Sequence, residues 1–512
     1  MMTRQVQHSL FALIALIAAA GLVFGVVAAP SYTDAFYHFN AAHRLVTGQG
    51  MTDAYVWTYL GAAESLPMPS HLYWMPMTSV LSALGMVGLN APGSYRAAQV
   101  PLALALWLTA CIGYGLGRRL GDSDRAAWGG GLLTLLSPFF ARYWGAVDTF
   151  APYALFGSAC LVVSGLAAAK PRWLWWAVAG GLAACAHLTR ADGLLLLPVS
   201  GFFALRARAA LPRRAAYAVV MVAAYLLVMS PYFLRNLQAI GSPLPLGGTQ
   251  AIWFREYNDI FAFPSRFSAE TFFADGGAAL IETRHEALVN NFATVVAVEG
   301  MIVLLPFMVI GLWTRRRDRL LHPFALYALG MHLAMTFIFP FPGYRGGLFH
   351  SAAALIPFWS VLALIGMDRA VEWAARRRRR WKPSGAKAVF SGAALMLAAG
   401  LTVFYTVSGR VGPITTPPLY AALKDMLPEG ARVLFDDPPA LYYYTGFGGA
   451  TLPNGTPDDL LAVARRYDID YLLLKEDPAA IPAGLFSILD APPAELHQLE
   501  FEPARLYVID HD

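Results

Sequence analysis

Charge is scarce in this chain of 512 residues. Only 14% of them are Asp, Glu, Lys or Arg, and three cysteines make up the whole thiol inventory. With 57% apolar residues and a mean hydropathy of +0.49, a soluble fold has nowhere to bury so much apolar surface, so the sequence reads as a polytopic membrane protein. Cys111, Cys160 and Cys185 all lie inside apolar runs, which excludes zinc-ligand spacing and a disulfide framework in the polar loops. No nucleotide-binding loop is present. The stretch "GYGLGRRLG" ends an apolar run with no strand before it, so its glycines read as close helix packing. The net charge of +5 gives no nucleic-acid groove, because the basic residues sit in short loops between apolar runs. There is no internal repeat and no low-complexity linker beyond "VGPITTPP".

What is present is a succession of apolar runs near 9–29, 94–117, 126–146, 149–168, 172–189, 193–206, 215–234, 288–313, 321–340, 346–368 and 386–407. A bilayer crossing takes roughly 20 mostly apolar residues, so about eleven transmembrane helices are predicted, the run near 193–206 being short. The first run has small residues before Pro30 as a signal peptide would, but the many later spans favour a retained helix. The positive-inside rule puts Arg4, Arg118, Arg119, Arg125, Lys170, Arg172, the 206–214 and 315–319 arginines and the 376–382 basic run on the cytoplasmic side. The "RRRRR" run then reads as a topology marker against anionic headgroups. Alternation holds if "HLYWMPMTSVLSALGMVG" lies along the outer interface as a helix over 72–90 instead of crossing.

The expected organisation is a transmembrane module over 1–407 with outer loops at 30–93 and 235–287, followed by an extracytoplasmic α/β domain over 408–512. That last segment carries 16 acidic against 7 basic residues. Its short strands ("ARVLFD", "DYLLL", "ARLYVID") alternate with helical stretches such as "TPDDLLAVARRYDI". Localisation follows as multi-pass in the cytoplasmic (inner) membrane, with the polar site and the C-terminal domain outside.

Polar residues where spans meet the outer face are the candidate site. Asp34 opens a helix predicted to run to Val46, with Gly48 as its stop; a role as helix N-cap is the plainer alternative for this acid. Asp148 occupies the turn between the third and fourth spans, and Arg190 with Asp192 another turn on the same face, where they equally suit a local ion pair. Arg235 and Asn236 open the second outer loop. Tyr344, Arg345 and His350 sit at the outer end of the tenth span. Charges near hydrocarbon are costly without partners or a polar cavity, so their convergence on one face points to function.

In this order and on this side, "PSYTDAFYHFNAAHRLVTGQG", "SHLYWMPMTSVLSALGMVG", "GAVDTFAPYALF", "LTRADGLLLLP" and "PYFLRNLQAIGSPLP" resemble the landmarks of GT-C-fold glycosyltransferases. The similarity is to bacterial relatives of protein O-mannosyltransferases and lipid A aminoarabinose transferases, over nearly all of 1–407. His71-Leu72-Tyr73-Trp74 departs from the commoner P-P-L form of the interfacial helix. The resemblance implies an enzyme, a hexosyl- or pentosyltransferase that takes a sugar from a polyprenyl-phosphate donor to an acceptor glycan, lipid or protein. Asp34 then matches the first-loop catalytic acid and Asp148 the second acidic position.

Transfer to a hydroxyl needs a base for the acceptor proton, a task for one carboxylate, while a lipid phosphate leaves as a stable anion without an acid. Inversion at the anomeric carbon is expected. Arginine meets two phosphate oxygens with its planar fork, which nominates Arg190 and Arg345, with His71, Arg235 and His350 as further phosphate ligands. Tyr73 and Tyr344 are candidates for substrate binding. No cofactor is expected, and no metal, since Phe36 stands where a D-x-D arrangement would need a second acid. The alternatives are a transporter or flippase of lipid-linked sugar intermediates, which would show paired repeats and mid-membrane charges, and a non-catalytic cell-envelope assembly protein. In the latter the C-terminal domain would bind peptide or glycan, or act as a lid or cap.

Overall fold

The computed structural model describes every residue except 1–2, 62–63, 122, 266, 275, 378–381, 409–415, 478–479 and 512. Most of "VGPITTPP" and the last three arginines of the 376–380 run therefore lie outside the described residues. The chain forms two compact units, one from residues 1–29, 95–231 and 282–412, the other from 30–94, 232–281 and 413–512.

The first unit is helical. Among the described residues, seven helices are long and apolar enough to cross a membrane: Arg4–Val26, Tyr95–Leu120, Phe150–Ala169, Leu211–Ile240, Arg319–Ile338, Pro340–Ala375 and Pro383–Ser408. The other four expected runs form shorter or interrupted helices. The run at 126–146 becomes Asp124–Leu135 and Pro138–Ala141, because Pro138 has no N–H to continue the ladder. The runs at 172–189 and 193–206 become Trp173–Thr189 and Leu196–Leu205. The run at 288–313 breaks between Glu299 and Leu305, where Met301 and Ile302 take φ of +44° and +66°.

Close helix packing accounts for Gly113 and Gly117 of "GYGLGRRLG", where a methyl group would strike Thr134 and the Ala126 backbone, whereas one on Gly115 would meet nothing within 4 Å. The three cysteines are free, and Cys160 is buried.

The second unit is a sheet protein assembled from three pieces of chain. Its six-stranded sheet runs β2-β5-β4-β6-β8-β7, with β2 (Tyr55–Val56), β4 (Arg432–Phe435), β5 (Gly448–Thr451), β6 (Tyr471–Lys475), β7 (Leu496–Leu499) and β8 (Ala504–Ile509). β2, β5, β4 and β6 are parallel, and β8 and β7 add antiparallel strands at the other edge. A two-stranded pair, β1 (Thr52–Asp53) with β3 (Met68–Pro69), closes the first loop. Helix Pro457–Tyr467 follows the sequence signature closely, with a capping box between Thr456 and Asp459. It buries Leu460, Leu461, Val463 and Ala464 against the sheet core.

The boundary expected near 407 does not separate these units. Strand β2 comes from the first loop, and helix Pro438–Thr445 packs on helix Thr33–Val46. Thr33 donates to Asp437 Oδ2 at 3.1 Å, Asn40 to the Pro439 carbonyl at 2.8 Å and Arg44 to the Tyr442 hydroxyl at 2.9 Å. Phe36 fills the same seam against Tyr443 and Tyr444. A pairing of residues some four hundred apart leaves no local mark in the sequence. The expected interfacial helix is Met77–Gly88, too short to cross a bilayer, and it packs against helix Thr33–Val46 through the 3.0 Å His38–Ser79 hydrogen bond.

Candidate functional site

In the second unit, helix Thr33–Val46 carries Asp34 in its first turn and ends at Thr47, with Gly48 at φ +82° as the expected stop. The N-cap is Tyr32, not Asp34, because helical geometry begins one residue earlier than expected, at Thr33. A carboxylate in this first turn is favoured in its ionised form by the unpaired N–H groups there. Asp34 is half-buried, whereas Tyr37 and His38, on the same helical face, are buried.

Beneath that face lies a buried network that the sequence reading missed. The Tyr37 hydroxyl donates to Asp53 Oδ2 at 2.9 Å and accepts the His71 N–H at 2.7 Å. Tyr232 donates to the His71 carbonyl at 2.7 Å. Both backbone groups of His71 are thus held, and its φ is +59°, a conformation a non-glycine residue keeps only when its surroundings impose it. Burial, together with the nearby Arg235 guanidinium, pushes the His71 pKa down to about 3. Its ring is neutral at ordinary pH, which argues against pairing with phosphate by charge. Burial pushes Asp53 up to about 7, against the opposing pull of the Tyr37 hydrogen bond, Arg44 and Arg235. Arg235 donates to the Met51 carbonyl at 2.8 Å and to Asn236 Oδ1 at 2.9 Å, so it ties the loop down. Tyr73 stands apart from this network, in an aromatic cluster with Trp57 and Trp74.

In the first unit, Asp148, Arg190 and His350 come together as expected. Asp148 is 1% exposed; its Oδ1 accepts the Thr149 N–H at 2.5 Å, and its Oδ2 lies 3.8 Å from His350 Nδ1. The same imidazole nitrogen is 2.9 Å from Thr149 Oγ1, and the ring stacks on Phe150 with centroids 3.9 Å apart. Arg190 donates to Asp192 Oδ1 at 3.0 Å, Ser351 Oγ at 3.2 Å, the Gly347 carbonyl at 3.4 Å and Thr149 Oγ1 at 3.5 Å. Its fork is engaged with the protein, so the ion-pair alternative describes its geometry. Arg345 and Tyr344 face different surroundings. They line a cavity of about 510 Å³ with Arg142, Phe139, Tyr143, Phe349 and Tyr405. Two guanidinium groups among aromatic walls suit an amphiphile with an anionic head.

No family model matches the chain, and no curated protein does. Solved structures do. The oligosaccharyltransferase AglB from Archaeoglobus fulgidus, in complex with an inhibitory peptide and a dolichol-phosphate, superposes with a TM-score of 0.59 at 15% identity, over 91% of this chain and 69% of that one. ArnT from Cupriavidus metallidurans bound to undecaprenyl phosphate gives 0.58 at 16% identity, over 99% of this chain and 98% of that one. The chain has a GT-C fold.

Two residues of this GT-C chain escaped the sequence reading although signals for them existed. Arg142 lies six residues before Asp148, just ahead of the quoted "GAVDTFAPYALF". Glu299 is the sole ionisable residue of the apolar run 288–313. It is 1% exposed, accepts from Trp359 Nε1 at 2.7 Å and pairs with His332 Nε2 at 2.7 Å. It anchors the broken segment whose Thr294 and Val298 form one wall of the cavity. As for a metal, Asp148 and His350 are two potential ligands within the first unit.

Proposed function

We propose that this GT-C chain is an integral-membrane, inverting glycosyltransferase that moves a hexosyl or pentosyl group from a polyprenyl-phosphate donor to a hydroxyl acceptor. Its polar loops would lie on the extracytoplasmic side of the cytoplasmic membrane. The observation that carries the reading is the cavity in the first unit, where Arg142 and Arg345 stand among five aromatic side chains. The guanidinium groups suit a phosphate at headgroup depth and the rings suit the first isoprene units. AglB and ArnT were solved with dolichol-phosphate and undecaprenyl phosphate, which supports the donor class.

In this mechanism the acceptor hydroxyl oxygen attacks the anomeric carbon, the bond from that carbon to the phosphate oxygen breaks, and polyprenyl phosphate leaves as an anion. Arg142 and Arg345 stabilise the developing charge, an effect worth about 3–4 kcal/mol for a pre-placed donor. Asp34 takes the acceptor proton. Asp148, His350 and Arg190 hold the turn over 347–351 and orient the donor side.

Native mass spectrometry of the protein in nanodiscs loaded with undecaprenyl phosphate tests the reading. Arg142→Ala and Arg345→Ala are each expected to raise its Kd about tenfold or more, as loss of a charge-assisted hydrogen bond predicts. Unchanged occupancy in the double variant would overturn the donor site.

A further inference from the structure

We propose that a second cavity of the first unit, among Arg125, Arg315, Arg369 and Lys387, binds a phosphate group, with an anionic phospholipid headgroup as its nearest source.

Position is the first argument. The cavity measures about 220 Å³, less than half the 510 Å³ of the one lined by Arg142 and Arg345. The spanning segment Pro340–Ala375 contributes Arg345 to the larger cavity and Asp368, Arg369 and Glu372 to the smaller. About 23 residues separate Arg345 from Asp368, roughly 35 Å of helix at 1.5 Å per residue, enough to cross the hydrocarbon core. The smaller cavity therefore belongs to the leaflet opposite the donor cavity. Two tryptophans mark its depth. Trp313, two residues before Arg315, and Trp373, next to Glu372, are 67% and 60% exposed. Arg316 lies over the first ring at 4.2 Å and Arg377 over the second at 3.9 Å. Exposed indoles topped by arginines belong at headgroup level.

Charge is the second argument. Among the described residues the cavity wall carries four cations and two carboxylates. Arg125 donates to both oxygens of Asp368, at 2.7 and 2.6 Å, and also to Ser391 Oγ. Lys387 donates to Glu372 Oε1 at 2.7 Å and Arg369 to Glu372 Oε2 at 2.8 Å. All four carboxylate oxygens are engaged, and the wall keeps a formal excess of two positive charges. Arg125, Arg315 and Lys387 are half-buried and Ile365 completes the lining, so that excess is costly without a counter-anion.

Chemistry is the third. A phosphate offers several oxygens to guanidinium forks and an ammonium at once. Two helices begin at the wall, Asp124–Leu135 behind its cap Ser123 and Pro383–Ser408 with Ser384 in its first turn. First-turn N–H groups there are further donors. Past Lys387, the same helix exposes Val389, Phe390 and Leu397, an apolar surface for acyl chains. A phosphate free in solution would meet the same donors and leave that surface unused.

The test uses the full chain in detergent. Native mass spectrometry with added phosphatidylglycerol or phosphatidylcholine of the same chains is expected to retain the anionic lipid at least tenfold better. Arg315→Gln and Lys387→Gln should each raise its Kd about tenfold, as loss of a charge-assisted hydrogen bond predicts. Lys387→Arg, which keeps the charge and the Glu372 pair, should bind nearly as the parent does, so a folding defect is told apart from a lost ligand. Arg345→Ala should leave this Kd unchanged, which separates the two cavities. Phosphorus NMR of glycerol 3-phosphate reads the soluble source. Binding of that ester, lost in Lys387→Gln, with both lipids retained alike, would keep the phosphate site and assign it to a free phosphate. Equal retention of both lipids with no binding of the ester, or glutamine variants that hold phosphatidylglycerol as the parent does, would overturn the proposal.

Discussion

The Nδ1 of His350 lies 2.9 Å from the Thr149 hydroxyl although 201 residues separate them in sequence. That hydroxyl also receives Arg190, so one threonine joins the imidazole beside Asp148 to the guanidinium paired with Asp192. Replacing it with valine keeps the shape and removes both bonds. Thr149→Val is expected to lower kcat by about threefold to thirtyfold, the worth of one or two hydrogen bonds. The KM for the lipid donor should hold, and an unaltered kcat would show that the link is idle.

Asp34→Asn keeps the volume of the first-turn side chain and abolishes its basicity. Loss of a general base predicts a fall in transfer of about 10²–10⁴-fold with the melting temperature preserved. Full turnover of a polyprenyl-phosphate sugar by this variant would reject the assignment.

Glu299 lies inside an apolar run and is held by His332 and Trp359. Truncating one partner leaves the buried polar atoms of the others without a hydrogen bond, at a cost of about 1–3 kcal/mol. Glu299→Ala is therefore expected to melt well below the parent protein in the same detergent. Glu299→Gln, which still accepts from the indole, should recover part of the difference. Equal melting of parent and alanine variant would deny the anchor any role.

Asp53 and His71 make opposite contributions to stability as pH changes. Asp53 is raised to about 7, so from about pH 4 to 7 the folded state holds a proton that the unfolded state has released, and its contribution falls as pH rises. His71 is lowered to about 3, so from pH 3 to its unfolded value near 6.5 the unfolded state holds the extra proton, and its contribution grows as pH rises. The two slopes offset each other over about pH 4–6.5. Relative to the parent, Asp53→Asn should melt higher as pH rises through this window, and His71→Gln lower. Parallel curves for all three proteins would refute both shifts.

The reading without a metal, which rests on Phe36 breaking a D-x-D pattern, expects full transfer after exhaustive EDTA treatment and gel filtration. Loss of activity restored by magnesium or manganese would move Asp148 and His350 to ligand roles.

Much of this arrangement was legible in the residues, and the rest had a physical reason to stay hidden. Seven of the eleven apolar runs, the helix stopped at Gly48, the strands over 432–435, 471–475 and 504–509 and the helix of "TPDDLLAVARRYDI" are local patterns, and the structure follows them. The grouping of Asp148, Arg190 and His350 followed from their placement at span ends. What stayed hidden was pairing at long range. Nothing near Tyr55 announces a strand whose partner is Gly449, and nothing near Asp53 shows that Tyr37 will enclose it. Arg142 and Glu299 were visible as charges, but which charge faces a cavity and which is sealed in a core depends on helix rotation.

The seating of strand β2 against β5 has a consequence for how the molecule is made. At ribosomal speeds of about 5–20 residues per second, the nascent loop bearing Asp34 waits roughly 20–80 s before its partner strand emerges. Throughout that interval the edge of Tyr55–Val56 is exposed and open to chaperones or proteases. A ribosome that stalls before Gly448 releases a product with its membrane spans complete and its first loop without a sheet to join.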